Sequence, residues 1–198
     1  MIFNQTEKQE KEYLLQVIDI LKDSINNTDT SVKEHVETLQ EYKSYIWSNK
    51  DIDPHEIRSM RESILNHFAL GEKVIDKRKR LSRILDIPYF GRIDFSEVNN
   101  QKNTPLPIYI GIHTFYDIHT KINLIYDWRA PISGMFYDHE LGEASYMSPA
   151  GEIKGVVSLK RQYRIRNGKM EYMIESSLTV HDGILQKELS SNADDKMK

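Results

Sequence analysis

The first 87 residues contain one glycine (Gly71) and one proline (Pro54), and their apolar side chains recur every three or four positions. Leu14, Ile18, Leu21 and Ile25 form one series. Val32, Val36, Leu39 and Ile46, with Tyr42 and Tyr45 between them, form a second. Ile57, Met60, Ile64 and Phe68 open a third, continued by Val74, Ile75, Leu81 and Leu85. Stripes this narrow, in a charged background, suit the seam of a coiled coil and not the face of a globular core. A chain of this kind is committed to paired helices over its first half.

Two breaks are legible. Residues 26–31, NNTDTS, cluster turn formers, and Ser31 with Glu34 has the spacing of a capping box, which predicts a helix end there. Residues 48–53, SNKDID, form the second break. Asp53 suits an N-cap, Pro54 the first helical position and Glu56 the N3 site. The helix from 54 to about 86 would span roughly 50 Å at 1.5 Å per residue. The pattern predicts an antiparallel coiled-coil arm over 1–87 with its tip near 48–56.

After Pro88 the period changes. Segments 89–95, 107–113, 122–128, 143–148, 153–165 and 169–180 are rich in β-branched and aromatic residues and are predicted as strands. Asn167-Gly168 between the last two is a hairpin signal. Six consecutive short strands predict a small antiparallel sheet or barrel-like domain over 88–182. Residues 183–198 are predicted as a short helix running into a polar tail. The fold class is α+β.

Composition narrows the function classes. A net charge of -3 gives no global drive toward nucleic acid or anionic membrane. There is no cysteine, which removes disulfides and cysteine-based zinc sites. No apolar run approaches a membrane span, and the N-terminus has neither the basic nor the apolar region of a secretory signal, so a cytoplasmic location is expected. Phosphate-loop, dinucleotide-binding, zincin and nucleophile-elbow motifs are all absent. A metal site could be drawn from His113, Asp117 and His119, whose spacing fits no common ligand motif, or from His181 and Asp182, and no metal site is assigned.

Three groups of residues remain as candidates. The tip carries Asp51, Asp53 and Glu56. The last two are what a helix start wants, whereas Asp51 has no capping role and would suit a metal ion or a basic pocket in a partner. Lys77, Arg78, Lys79 and Arg80 form a basic run, readable as a solvated helix face or as a footing on nucleic acid or an acidic partner. In 124–138, LIYDWRAPISGMFYD, strand alternation places Ile122, Leu124, Tyr126 and Trp128 on the buried side. Asp127 and Arg129 then share the other side as a salt bridge, and Pro131 ends the pairing. The readings are structural bridge first, single-strand platform second, with Trp128, Phe136 and Tyr137 stacking bases, and catalysis last.

The order of segments is more specific than any one of them. A charged helical arm is followed by PYFGRIDF (88–95), IYIGI (108–112), IYDWRAPISGMFYD (125–138), LKRQYRI (159–165) and DGILQKELS (182–190). The whole resembles the N-terminal region of the HelD branch of UvrD/Rep-like helicases, tightly over 88–198 and loosely before. Gly91, Arg92, Asp127, Trp128, Arg129 and Pro131 carry that fingerprint. The resemblance implies a non-catalytic fragment, truncated before the phosphate loop, of an ATPase that uses ATP and Mg. It implies RNA polymerase core as partner, the arm entering the secondary channel, with DNA and the protein's own motor domains as further contacts. No cofactor is expected in this fragment. An accessory nucleic-acid-binding domain, using the basic runs 77–83 and 160–166, is the rival. The tip SNKDIDPHEI contains Lys50 and is less densely acidic than some family tips, which argues against a metal-reaching role.

Overall fold

Asp53 starts the second helix as its sequence suggests. Its Oδ1 accepts the backbone N–H of His55 at 2.8 Å, Pro54 takes the first helical position, and helix α2 runs Pro54–Asp86. The first helix, α1, covers Ile2–Ser48 without interruption. The computed structural model describes residues 2–49, 51–98, 104–181 and 184–191. The chain divides into two units: Leu21–Arg83, and Met1–Ile20 together with Ile84–Lys198. The first twenty residues therefore group with the sheet.

The expected break at 26–31 does not occur. Thr28 donates its hydroxyl to the Ser24 carbonyl at 2.7 Å, and Thr30 donates to Asn26 at 3.1 Å. Side chains that could have capped a new helix instead bond back to the preceding turn and leave the backbone helical. Thr28 is buried, and Asp29 forms an ion pair with Arg78 of α2, so the segment is a working part of the seam. Within this unit the two helices run antiparallel, as shown by Asp29 beside Arg78, His35 beside His67 and Tyr45 beside Glu56.

Among the described residues the sheet has eight strands: β1 (Gly91–Glu97), β2 (Leu106–Gly111), β3 (Phe115–Asp117), β4 (Ile122–Asp127), β5 (Gly142–Ser148), β6 (Gly151–Arg166), β7 (Lys169–His181) and β8 (Ile184–Ser191). Their order is β3-β4-β2-β1-β6-β7-β8, with β5 also paired to β6. All six predicted strands are present. The β6–β7 hairpin turns through Asn167 and Gly168, both with positive φ, as the Asn-Gly signal requires.

Four features differ from the sequence reading. The sheet is open and not barrel-like, and it is mixed, because β2 and β4 pair in parallel. Residues 184–191 form strand β8 and not a helix; β7 would otherwise present a long open edge, and pairing overrides local helix propensity. Residues 192–198 lie outside the described residues. A short helix, α3 (Pro131–Asp138), lies between β4 and β5, where no element is predicted, with Pro131 at its first position. Finally, the burial assigned to 122–128 holds only in part: Tyr126 packs on the α3 core and Leu124 is half-buried. Ile125 is fully buried, Ile122 is exposed, and Trp128 is 48% exposed. The strand stops at Asp127, and a tight turn, Ala130 N–H to the Asp127 carbonyl at 2.9 Å, carries Trp128 outward.

One face of the sheet packs on α3. Ile93, Phe95, Ile108, Ile110, Val157 and Phe136 are among its buried residues. A Cβ on Gly91 would stand 2.9 Å from the Phe136 ring, so glycine there lets α3 close on β1. The opposite face bears Arg92, Tyr109, Arg161 and Tyr163. A bulge sorts these two groups: the β1–β6 register shifts between Asp94 and Phe95, which skips Ser158. Val157 consequently shares the α3 face, while Arg161 and Tyr163 share the other.

Candidate functional site: a buried ionic anchor and an apolar arm tip

Glu10 lies at the foot of α1 with only 2% of its surface exposed. It sits one step before Leu14 and Val17 on the stripe that α1 buries. Its Oε1 accepts from Arg92 and, at 2.5 Å, from Arg161; its Oε2 accepts from Tyr163 at 2.7 Å and Tyr109 at 3.2 Å. Each guanidinium has a carboxylate of its own. Arg92 binds Asp94 through two parallel hydrogen bonds of 2.6 and 2.8 Å, and Arg161 binds Glu175 at 2.6 Å. Four donors from three strands therefore converge on one helical carboxylate.

An aromatic cluster seals this network. Tyr13 stacks on Tyr109 at 4.0 Å between centroids, and Tyr89 meets the rings of Tyr109 and Tyr163 at 4.8 and 5.1 Å. The Tyr13 hydroxyl donates to the Leu124 carbonyl at 2.9 Å. Burial, with the Glu10 charge adding to it, pushes the Tyr13, Tyr109 and Tyr163 hydroxyls well above the ordinary phenol range. Burial opposes the charge on Arg92, but the Asp94 hydrogen bonds and the negative charges around it outweigh that and push it up. These groups are held in one protonation state, which suits an anchor and not proton transfer.

Sequence reasoning found Arg92 only as part of a fingerprint and missed Glu10 altogether. The signal was present: an acid occupying the next step of an apolar helical stripe is a charge about to be buried. The bulge that turns Arg161 and Tyr163 toward Glu10 left no comparable trace.

Asp127 and Arg129 do form an ion pair. Arg129 donates its backbone N–H, Nε and Nη2 to the Asp127 carboxylate at 2.9, 2.8 and 2.6 Å. These bonds hold the Asp127 carboxyl down at about 2. The Arg129 side chain is mostly in solvent, so the pair closes the turn before α3 and buries little. The base-stacking platform does not assemble, because Phe136 lies in the α3 core while Trp128 and Tyr137 are exposed. Asp117 accepts from His119 and from both the backbone N–H and hydroxyl of Thr120, which makes it the brace of the β3–β4 turn.

The basic runs are partly engaged in ion pairs. Arg78 binds Asp29, and Lys79 lies 3.5 Å from Asp76, while Lys77 and Arg80 are exposed. In the second run Arg161 is buried against Glu10, and Arg164 and Arg166 both face Glu171.

In the Leu21–Arg83 unit, Asp51, Asp53 and Glu56 are all exposed. Asp53 caps α2, and Glu56 accepts the Tyr45 hydroxyl at 2.7 Å, tying the ends of the two helices. Next to them Trp47 is 86% exposed. It borders an apolar groove of about 480 Å³ lined by Val36, Leu39, Ile46, Ile64 and Phe68. Two helices alone cannot enclose side chains of this size, which leaves the seam open near its tip.

The fold and these sites define a class: an α+β domain that clamps the foot of a long helix in a buried ionic network, joined to a two-helix coiled coil. A family model described as the N-terminal domain of DNA helicase IV HelD matches residues 7–191, and the chain belongs to that family. No curated protein matches it.

Proposed function

We propose that this chain is the RNA polymerase-binding module of a helicase-like ATPase, with the coiled coil as the part that enters the polymerase secondary channel. The observation that carries the reading is Trp47, 86% exposed beside an apolar groove and next to the carboxylates at the turn between α1 and α2. A large indole in water beside an open apolar groove has the character of a contact surface. Asp51, Asp53 and Glu56 add negative charge where the arm would approach the active centre. ATP and Mg belong, on this reading, to a motor outside these residues. The protein acts in the cytoplasm, where it helps release or recycle stalled polymerase.

Capture of core polymerase on the immobilised chain tests the reading. The chain is expected to bind core polymerase without hydrolysing ATP, and Trp47→Ala to weaken capture about tenfold, the effect of removing an interface anchor. The triple change Asp51→Asn, Asp53→Asn, Glu56→Gln keeps much of the capping and should lower polymerase inhibition or release more than capture. Failure of the chain to capture polymerase under conditions where the full-length protein does so would refute the proposal. Tight single-stranded DNA binding with a steep salt dependence would favour the accessory-domain rival.

A further inference from the structure

Halfway along the coiled coil, His35 of α1 and His67 of α2 turn their Nδ1 atoms toward each other at 3.1 Å. The rings are 5.4 Å apart between centroids and inclined at 66°. Both residues are half-buried in the seam. Two nitrogens bound to one tetrahedral zinc-type ion, with bonds of about 2.0–2.1 Å, lie roughly 3.3 Å apart. The observed spacing is within a few tenths of an ångström of that value.

We propose that His35 and His67 form a binding site for one divalent transition-metal ion of the zinc type. Three observations support a cation there. The positions three and four residues away on each helix hold Ser31, Val32, Thr38 and Leu39, and Ser63, Ile64, Leu70 and Gly71, so no lysine or arginine shares the face. Residues 31–42 carry one lysine against three glutamates, and 62–72 carry two glutamates and no basic residue, which makes the neighbourhood acidic. A Cβ on Gly71, one turn beyond His67, would meet nothing within 4 Å, so the helix surface next to His67 is open there. Among the described residues no cluster of three histidines or acids forms, which makes this an open two-histidine site. Bridging α1 and α2 side chain to side chain, the ion would stiffen the middle of the coiled coil.

The test uses the tag-free 198-residue chain at about pH 7.5. It is titrated with Zn²⁺ by calorimetry and with Co²⁺ by visible absorption, which reports nitrogen ligation. One ion per chain is expected, with a zinc-dependent rise in the melting temperature of the helical signal. His35→Asn and His67→Asn should each weaken binding by about tenfold or more. His55→Asn, on the first turn of α2, should leave it unchanged. Far-UV circular dichroism confirms that the variants are folded, and His67→Gln repeats the measurement with a longer side chain. Absence of ion uptake by the unaltered chain, as a hydrogen bond with a shared proton alone would give, overturns the proposal. So does uptake that survives both substitutions.

Discussion

Replacing Glu10 tests whether the buried ionic network holds the foot of α1 to the sheet. The carboxylate takes two guanidinium and two phenol donors while almost wholly buried. Removing one member of a buried ionic cluster typically costs about 3–5 kcal/mol. Here Arg92 and Arg161 keep Asp94 and Glu175, so Glu10→Ala should fall at the lower end, about 3 kcal/mol, with the cavity included. Glu10→Gln should cost less, about 2 kcal/mol. Its carbonyl can stay between the guanidiniums, and its amide can donate to the tyrosine hydroxyls, which accept as well as donate. Tyr163→Phe removes one charge-assisted bond and should cost about 1–2 kcal/mol. Urea unfolding measures the series. The two units need separate probes, so Trp47→Phe provides a background in which Trp128 is the single tryptophan and reports on the sheet. A loss below about 1 kcal/mol for Glu10→Ala would refute the argument.

Two further outcomes follow from local geometry. A Cβ on Gly111 would stand 2.4 Å from the Pro88 carbonyl oxygen and 2.8 Å from Ile125 Cγ2, so Gly111→Ala should destabilise the sheet unit by about 2–3 kcal/mol in urea; an unchanged midpoint would show that the chain can yield there. The Asp127 carboxyl is depressed to about 2 by its bonds from Arg129, so the pair's contribution is fully present above the ordinary carboxylate value of about 3.9 and is lost as pH falls toward 2. Arg129→Ala should return the Asp127 titration toward that ordinary value by carboxyl-carbon NMR, and a midpoint still near 2 would disprove the assignment.

The sequence alone determined the elements whose signals are local. The 3.6-residue spacing of apolar side chains, Asp53-Pro54 at a helix start and Asn167-Gly168 at a hairpin depend on a few neighbouring residues, and each appears as written. Helix also gives way to strand on either side of Pro88, as α2 ends at Asp86 and β1 begins at Gly91. The family fingerprint likewise marked Gly91 and Arg92, although it could not say that one admits Phe136 and the other binds Glu10. Tertiary structure decided wherever a residue had two local options. Thr28 and Thr30 could cap a helix or bond back within one, and the continuing seam favoured the second. Residues 184–191 could coil, but an open β7 edge drew them into a strand. Alternation along β4 and β6 fixes only which residues share a side. Which side is buried was set by the Ser158 bulge, the early end of β4 and the placement of α1 and α3, all of which depend on residues far apart in the chain. The Glu10 network and the His35–His67 pair arise in the same way: each joins side chains from separate elements, and a three-dimensional arrangement is needed to bring them within hydrogen-bonding distance.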